Sequence, residues 1–201
     1  MPPDRLRVLV IGCGAMAREL LDIVSRNGLD GVDVTCLPAR YHNTPDLIPA
    51  AVEDRILKAR DNYERVFVAY GDCGTGGGLD RVLERHGVER LAGAHCYEFL
   101  AGSSRFFSLH DAEPTTFYLT DFLVRHFDRL VWSGLGLDRW PQLRDDYFGN
   151  YTRVAYLAQT SDPALEARAK EAAERLGLAF ERIEVGYGDM EPAIIGMAGT
   201  R

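Results

Sequence analysis

The chain lacks the features that would mark it for a membrane, for export or for nucleic acid. No apolar run approaches the roughly 20 residues that a membrane span needs. The opening Met1-Pro2-Pro3-Asp4-Arg5 has no charged stretch followed by an apolar core. No signal peptide is therefore expected, and the cytoplasm is the expected compartment. Basic residues form no stripe, and 23 Lys and Arg against 30 Asp and Glu leave a net charge of −7. That balance argues against nucleic acid and anionic membrane surfaces as partners. There is no CxxC pair among the four cysteines. With 201 residues and 46% hydrophobic content, the chain buries a core without disulfide staples. In a reducing compartment, gathered cysteines more often mean metal or catalysis than disulfides.

What is present is an alternation of apolar runs and helical patterns. Residues 7–11 (RVLVI) and 65–70 (RVFVAY) are nearly continuous apolar runs, each followed by glycine and cysteine. They read as buried parallel strands. Residues 32–37 (VDVTCL), 88–91, 153–159 (RVAYLAQ) and 178–185 read as further strands. Helices are expected over 15–26, from Pro45 to about Asn62, over 79–86, and from Asp162-Pro163 to Leu176. Residues 116–131 (TFYLTDFLVRHFDRLV) read as a helix, with Phe117, Leu119, Phe122, Leu123, Phe127 and Leu130 on its apolar side. A second helical piece is expected over 137–147. The tail from Gly196 reads as frayed. The expected fold is α/β: a three-layer, Rossmann-like, doubly wound and mostly parallel sheet. Residues 1–201 form one domain in this reading, with the aromatic-rich stretch 99–150 as a helical insertion or lid.

The cysteines carry the strongest pattern. Cys13 to Cys73 and Cys36 to Cys96 are each separated by 60 residues. Cys13, Cys73 and Cys96 fall at or after strand ends, and Cys36 lies close to one. In open α/β sheets, ligands bind outside the carboxyl ends of the strands. Thiolate and imidazole suit zinc, and three protein ligands leave one position open for substrate. The expected ligands are Cys13, Cys73, His95 and Cys96, with Cys36, His42 and Glu98 in second rank. Cys36 in VTCLP also reads as a core residue. An iron–sulfur cluster ranks behind zinc.

Two glycine motifs add to this. Gly74, Thr75, Gly76 and Gly77 resemble a nest of backbone N–H groups for a phosphate or carboxylate. A flexible turn is the alternative. Asp189, after the last strand, reaches the same edge if that strand is parallel; otherwise it is a turn acid. Gly12-Cys13-Gly14-Ala15-Met16-Ala17 fits the relaxed dinucleotide fingerprint, but the acid expected at the end of the second strand is missing. Asp33 stands at that strand's beginning instead. A tight packing turn therefore competes with a nicotinamide site.

The runs GDCGTGGGLD, GAHCYEFLAG, TFYLTDFLVRHFD, LGLDRWPQLRDDYFGNYTRVAYLAQ and GYGDME resemble a bacterial and archaeal family known as domain of unknown function 1638. The likeness runs from Cys13-Gly14 to Asp189. The family is similar in carrying cysteines at the places of Cys13, Cys36, Cys73 and Cys96, with the His95-Cys96-Tyr97 run. Its genes often lie near corrinoid-dependent methyltransferases acting on methylated amines, which implies a one-carbon setting. The leading expectation is a zinc–thiolate enzyme acting on a small molecule. Two alternatives stand beside it: an accessory module for a corrinoid, a pterin or a methyltransferase partner, and a nicotinamide oxidoreductase.

Overall fold

The computed structural model describes residues 6–199. The described residues divide into two compact units, one of residues 6–99 with 187–199 and one of residues 100–186. The first unit begins with β1 (Val8–Cys13), a 3-10 turn (Gly14–Met16) and α1 (Ala17–Arg26). Next come β2 (Val32–Leu37), a second 3-10 turn (Ala39–Asn43) and α2 (Leu47–Ala59). β3 (Arg65–Ala69), α3 (Gly78–His86), β4 (Glu89–Arg90) and α4 (Cys96–Ala101) complete this stretch. The second unit holds α5 (Ser103–Ala112), β5 (Thr116–Thr120), α6 (Asp121–Arg125) and a π-helical turn (Asp128–Trp132). It continues with α7 (Leu143–Phe148), β6 (Arg153–Ala158), α8 (Pro163–Leu176) and β7 (Ala179–Glu184). The chain then returns to the first unit with α9 (Met190–Gly199).

The fold is Rossmann-like α/β, and both sheets are wholly parallel. The first unit's sheet has the order β2-β1-β3-β4, and the second unit's has β5-β6-β7. β1 is central, and Val8, Leu9, Val10 and Ile11 are all buried. Full burial of each such side chain contributes roughly 1.5–3 kcal/mol. On one face, Leu9, Ile11, Val68 and Tyr70 pack under α2 and α3. On the other, Leu20 of α1 lies against Gly12.

Residues 116–131 are not one helix. β5 takes the first five, because Thr-Phe-Tyr-Leu-Thr is β-branched and aromatic and pairs in register with β6. The Thr120 hydroxyl then caps α6 by accepting the Leu123 N–H. The stretch 99–150 thus contains a strand as well as helices. The expected second helix begins later, at Leu143. The tail from Gly196 lies in α9 as far as Gly199, with Met197 buried and its carbonyl accepting from Arg65. Thr200 and Arg201 lie outside the described residues.

Asp121 ties the carboxyl ends of β5 and β6 together. Its fully buried carboxylate accepts from Tyr156 O–H at 2.7 Å, Thr160 O–H at 2.6 Å and Gln159 N–H at 3.1 Å. Its own N–H donates to Gln159 Oε1 at 2.7 Å. Asp121→Ala leaves these buried donors without their acceptor. It is expected to destabilise the second unit by roughly 3 kcal/mol or more, read from urea unfolding. Tyr156→Phe, which removes one donor, is expected to cost about 1 kcal/mol.

Candidate functional site

The carboxyl edge of the four-stranded sheet is built by register. Gly12 stands opposite Cys36 on β2 and opposite Ala69 on β3. One residue further on, Cys13 and Tyr70 lie side by side on the face covered by α2 and α3. Cys73, four residues after β3, packs against the same core. Cys36 belongs to the opposite face, where its Sγ lies 3.6 Å from a Cβ built on Gly12.

Two glycines let backbones cross closely here. A Cβ on Gly14 would lie 2.9 Å from the Leu37 carbonyl oxygen, and one on Gly71 would lie 2.8 Å from the His95 nitrogen. The second crossing is held by Cys73 N–H to Ala94 O at 2.7 Å and Asp72 N–H to Gly93 O at 3.2 Å. It carries the segment that opens α4, and with it Cys96, onto the Cys73 loop. Cys73 is the one non-glycine among the described residues in the left-handed region, at φ 49°. Backbone strain of this kind concentrates at functional sites.

Burial dominates the ionisation of all four thiols. Burial pushes Cys36 and Cys73 each up to about 11 and Cys96 up to about 12. The charge of Cys13 adds to the rise in all three, and that of Cys73 adds to the rise in Cys96. Cys13 is raised by burial too, but the Ala15 N–H and the Tyr70 hydroxyl oppose the rise. The Tyr70 pKa is driven upward, first by burial and then by Cys13, Cys73 and Cys36. At neutral pH these groups are thiols rather than thiolates.

The other expected ligands are placed as follows. His95 is half-buried, its ring edge-on to Tyr97 at 5.5 Å. Glu98 is buried and accepts the Ala94 N–H at 2.7 Å, closing the turn before α4. His42 is exposed on the second 3-10 turn. Among the described residues, no three Cys, His, Asp or Glu side chains are arranged to hold a metal ion. The donor types suit zinc, but their arrangement does not close around an ion.

The glycine loop already holds an anion, and it is the protein's own. The Asp72 carboxylate accepts from Thr75 O–H at 2.6 Å, Gly77 N–H at 2.9 Å and Gly76 N–H at 3.2 Å. These donors hold Asp72 below the usual carboxylate range. Asp189 is exposed just before α9, and its N–H donates to the Phe99 carbonyl. β7 is parallel and pairs with β6 in the second sheet. The fingerprint glycines are accounted for by packing: Gly12 by Leu20 and Gly14 by the Leu37 backbone. Asp33 stands at the amino end of β2, bonded to Arg7 and Tyr63. A cleft of about 430 Å³ beside α3 and β4 is lined by residues such as Asp80, Leu83 and Arg90, and by none of the expected site residues.

Tyr70 and Asp72 were not among the expected site residues. Strand alternation carries the signal for Tyr70, since it shares a face with Val66 and Val68 and sits level with Cys13. The Asp72-x-x-Thr75 spacing carries the signal for Asp72, an acid folding back on its own turn.

Gly71→Ala is expected to displace residues 93–96, because backbone atoms, not flexible side-chain ends, meet the new Cβ. The expected loss is roughly 1–3 kcal/mol by urea unfolding. Asp72 has a lowered pKa in the fold, so its stabilisation is present above the ordinary Asp value of about 4 and is lost as pH falls through the folded value. Asp72→Asn is therefore expected to be less stable than wild type at pH 7. The two urea midpoints are expected to converge as pH falls through the lowered folded-state value of Asp72.

No curated protein matches the chain. Residues 36–194 match a family described as "Protein of unknown function (DUF1638)". Cys36, Cys73, His95 and Cys96 lie inside the match and Cys13 lies before it. With this match over most of its length, the chain belongs to the DUF1638 family.

Proposed function

We propose that this protein is a small-molecule enzyme whose working groups are the thiols at the carboxyl edge of the four-stranded sheet. Cys13, Cys73 and Cys96 form the working set. One observation carries the reading: Cys13 and Cys73 pack on one core at the end of β1 and β3, and the Cys73–Ala94 backbone bond brings the segment that opens α4 at Cys96 onto the same loop. As thiols these groups pack without cost, but each thiolate formed there would disfavour the next. A soft, electron-poor partner relieves that cost by drawing on the sulfur. A zinc ion and an electrophilic carbon of a one-carbon unit are the two partners of that character. Zinc binding would require the thiols to turn toward a common point.

A second reading rests on the second unit's surface, where Phe107, Trp140 and Tyr147 are each about half exposed. Exposed aromatics suit the docking of a corrinoid, a pterin or a methyltransferase subunit without turnover.

Native mass spectrometry of the chain taken from its own cells tests the thiol reading. Wild type is expected to carry mass beyond the polypeptide, and Cys73→Ser is expected to lose it. If the added mass is metal, zinc at about one per chain is the expected content. Identical bare masses for wild type and variant would overturn the reading.

A further inference from the structure

The Tyr70 hydroxyl points to a class of substrate for the thiol edge. The Tyr70 ring is 2% exposed, and its hydroxyl is buried without a well-formed hydrogen bond. Cys13 stands level with it on the neighbouring strand and shares its face, and Cys73 packs against the same core. Phenylalanine would fill the same space without burying an unsatisfied O–H. Such a group in a native fold calls for an acceptor that arrives from outside. Cys13 in turn receives the Ala15 N–H at 3.5 Å. A sulfur nucleophile and a hydroxyl donor thus stand side by side at the end of two paired strands.

We propose that Cys13 and Tyr70 together capture a small aldehyde, Cys13 adding to the carbonyl carbon while Tyr70 donates to the carbonyl oxygen. This deepens the thiol-site reading and rests on it. In the step, an S–C bond forms and the C=O π bond breaks. The thiol proton ends on the oxygen, passed through the Tyr70 hydroxyl, which gives its own proton and regains one. The product is a hemithioacetal, and no oxidant, reductant or leaving group is needed. The step creates no net charge, which suits a buried site. A donor aimed at the oxygen is worth most where water is excluded. With Cys13 only part-exposed and Tyr70 2% exposed, the pair has room only for a small carbonyl compound, formaldehyde being the smallest.

Titration with ¹³C-formaldehyde, followed by the hemithioacetal carbon resonance, tests this on the full chain, with N-acetylcysteine as the free-thiol reference. Wild type is expected to form the adduct at aldehyde concentrations at least about tenfold below the reference. Cys13→Ser is expected to abolish that resonance. Tyr70→Phe is expected to weaken the adduct at least about tenfold while leaving the unfolding temperature unchanged or raised, since no well-formed bond is lost. An adduct no tighter than the free thiol's, or equal affinity in Tyr70→Phe, would overturn the proposal. So would a lowered unfolding temperature in Tyr70→Phe, because the hydroxyl would then be supporting the fold. If the aldehyde adduct fails while Cys73→Ser still loses its bound mass, only the aldehyde inference falls.

Discussion

The pairing of β1 with β3 is the constraint on which the cysteine edge depends. Parallel register places Gly12 beside Ala69, two residues small enough for α1 to settle over them. The next residues, Cys13 and Tyr70, then emerge together on the opposite face. Side chains alternate along a strand, so a one-residue slip would turn Cys13 toward α1, away from Tyr70 and Cys73. The apolar run before each site residue sets that register, since Val8–Ile11 and Phe67–Ala69 are buried. The chemistry of the edge is in this sense a consequence of how the core packs.

Close approach of backbones does the rest. Gly14 and Gly71 each remove a side chain where another segment passes, and the second crossing brings α4 and Cys96 onto the Cys73 loop. The same loop binds its own carboxylate, Asp72, through donors that would otherwise hold an external anion. A rigid, internally satisfied loop holds Cys73 in a strained left-handed conformation. The thiols sit in a region of poor solvation, which keeps them protonated, and the ionisation of Cys13 raises Cys73 and Cys96 further.

The second unit follows the same logic with different groups. The carboxyl ends of β5 and β6 are joined by a buried acid, Asp121, with Tyr156, Gln159 and Thr160 as donors. From sequence, residues 116–131 look helical because Phe and Leu recur at three- and four-residue spacing. Thr116–Thr120 nevertheless pairs as a strand, since β-branched and aromatic side chains fit a pleated surface between neighbours. Local periodicity does not register that neighbour. Nothing in that periodicity marks the acid in Leu-Thr-Asp as the link between two strands.

Taken alone, the sequence determined the fold class, the strands of the first unit and the place of the cysteines at or near strand ends. Continuous apolar runs ended by glycine leave few alternatives to buried parallel strands, and cysteines placed after such strands gather at one edge. Only the tertiary structure decided which groups meet there. Strand order, the face each side chain takes, and the crossings at Gly14 and Gly71 are long-range outcomes. They brought Tyr70 beside Cys13, turned the glycine loop onto Asp72, put β7 in a separate sheet from the cysteines, and left His42 exposed. Residue type states what a side chain is able to do, while packing between distant segments decides what it is given to act on.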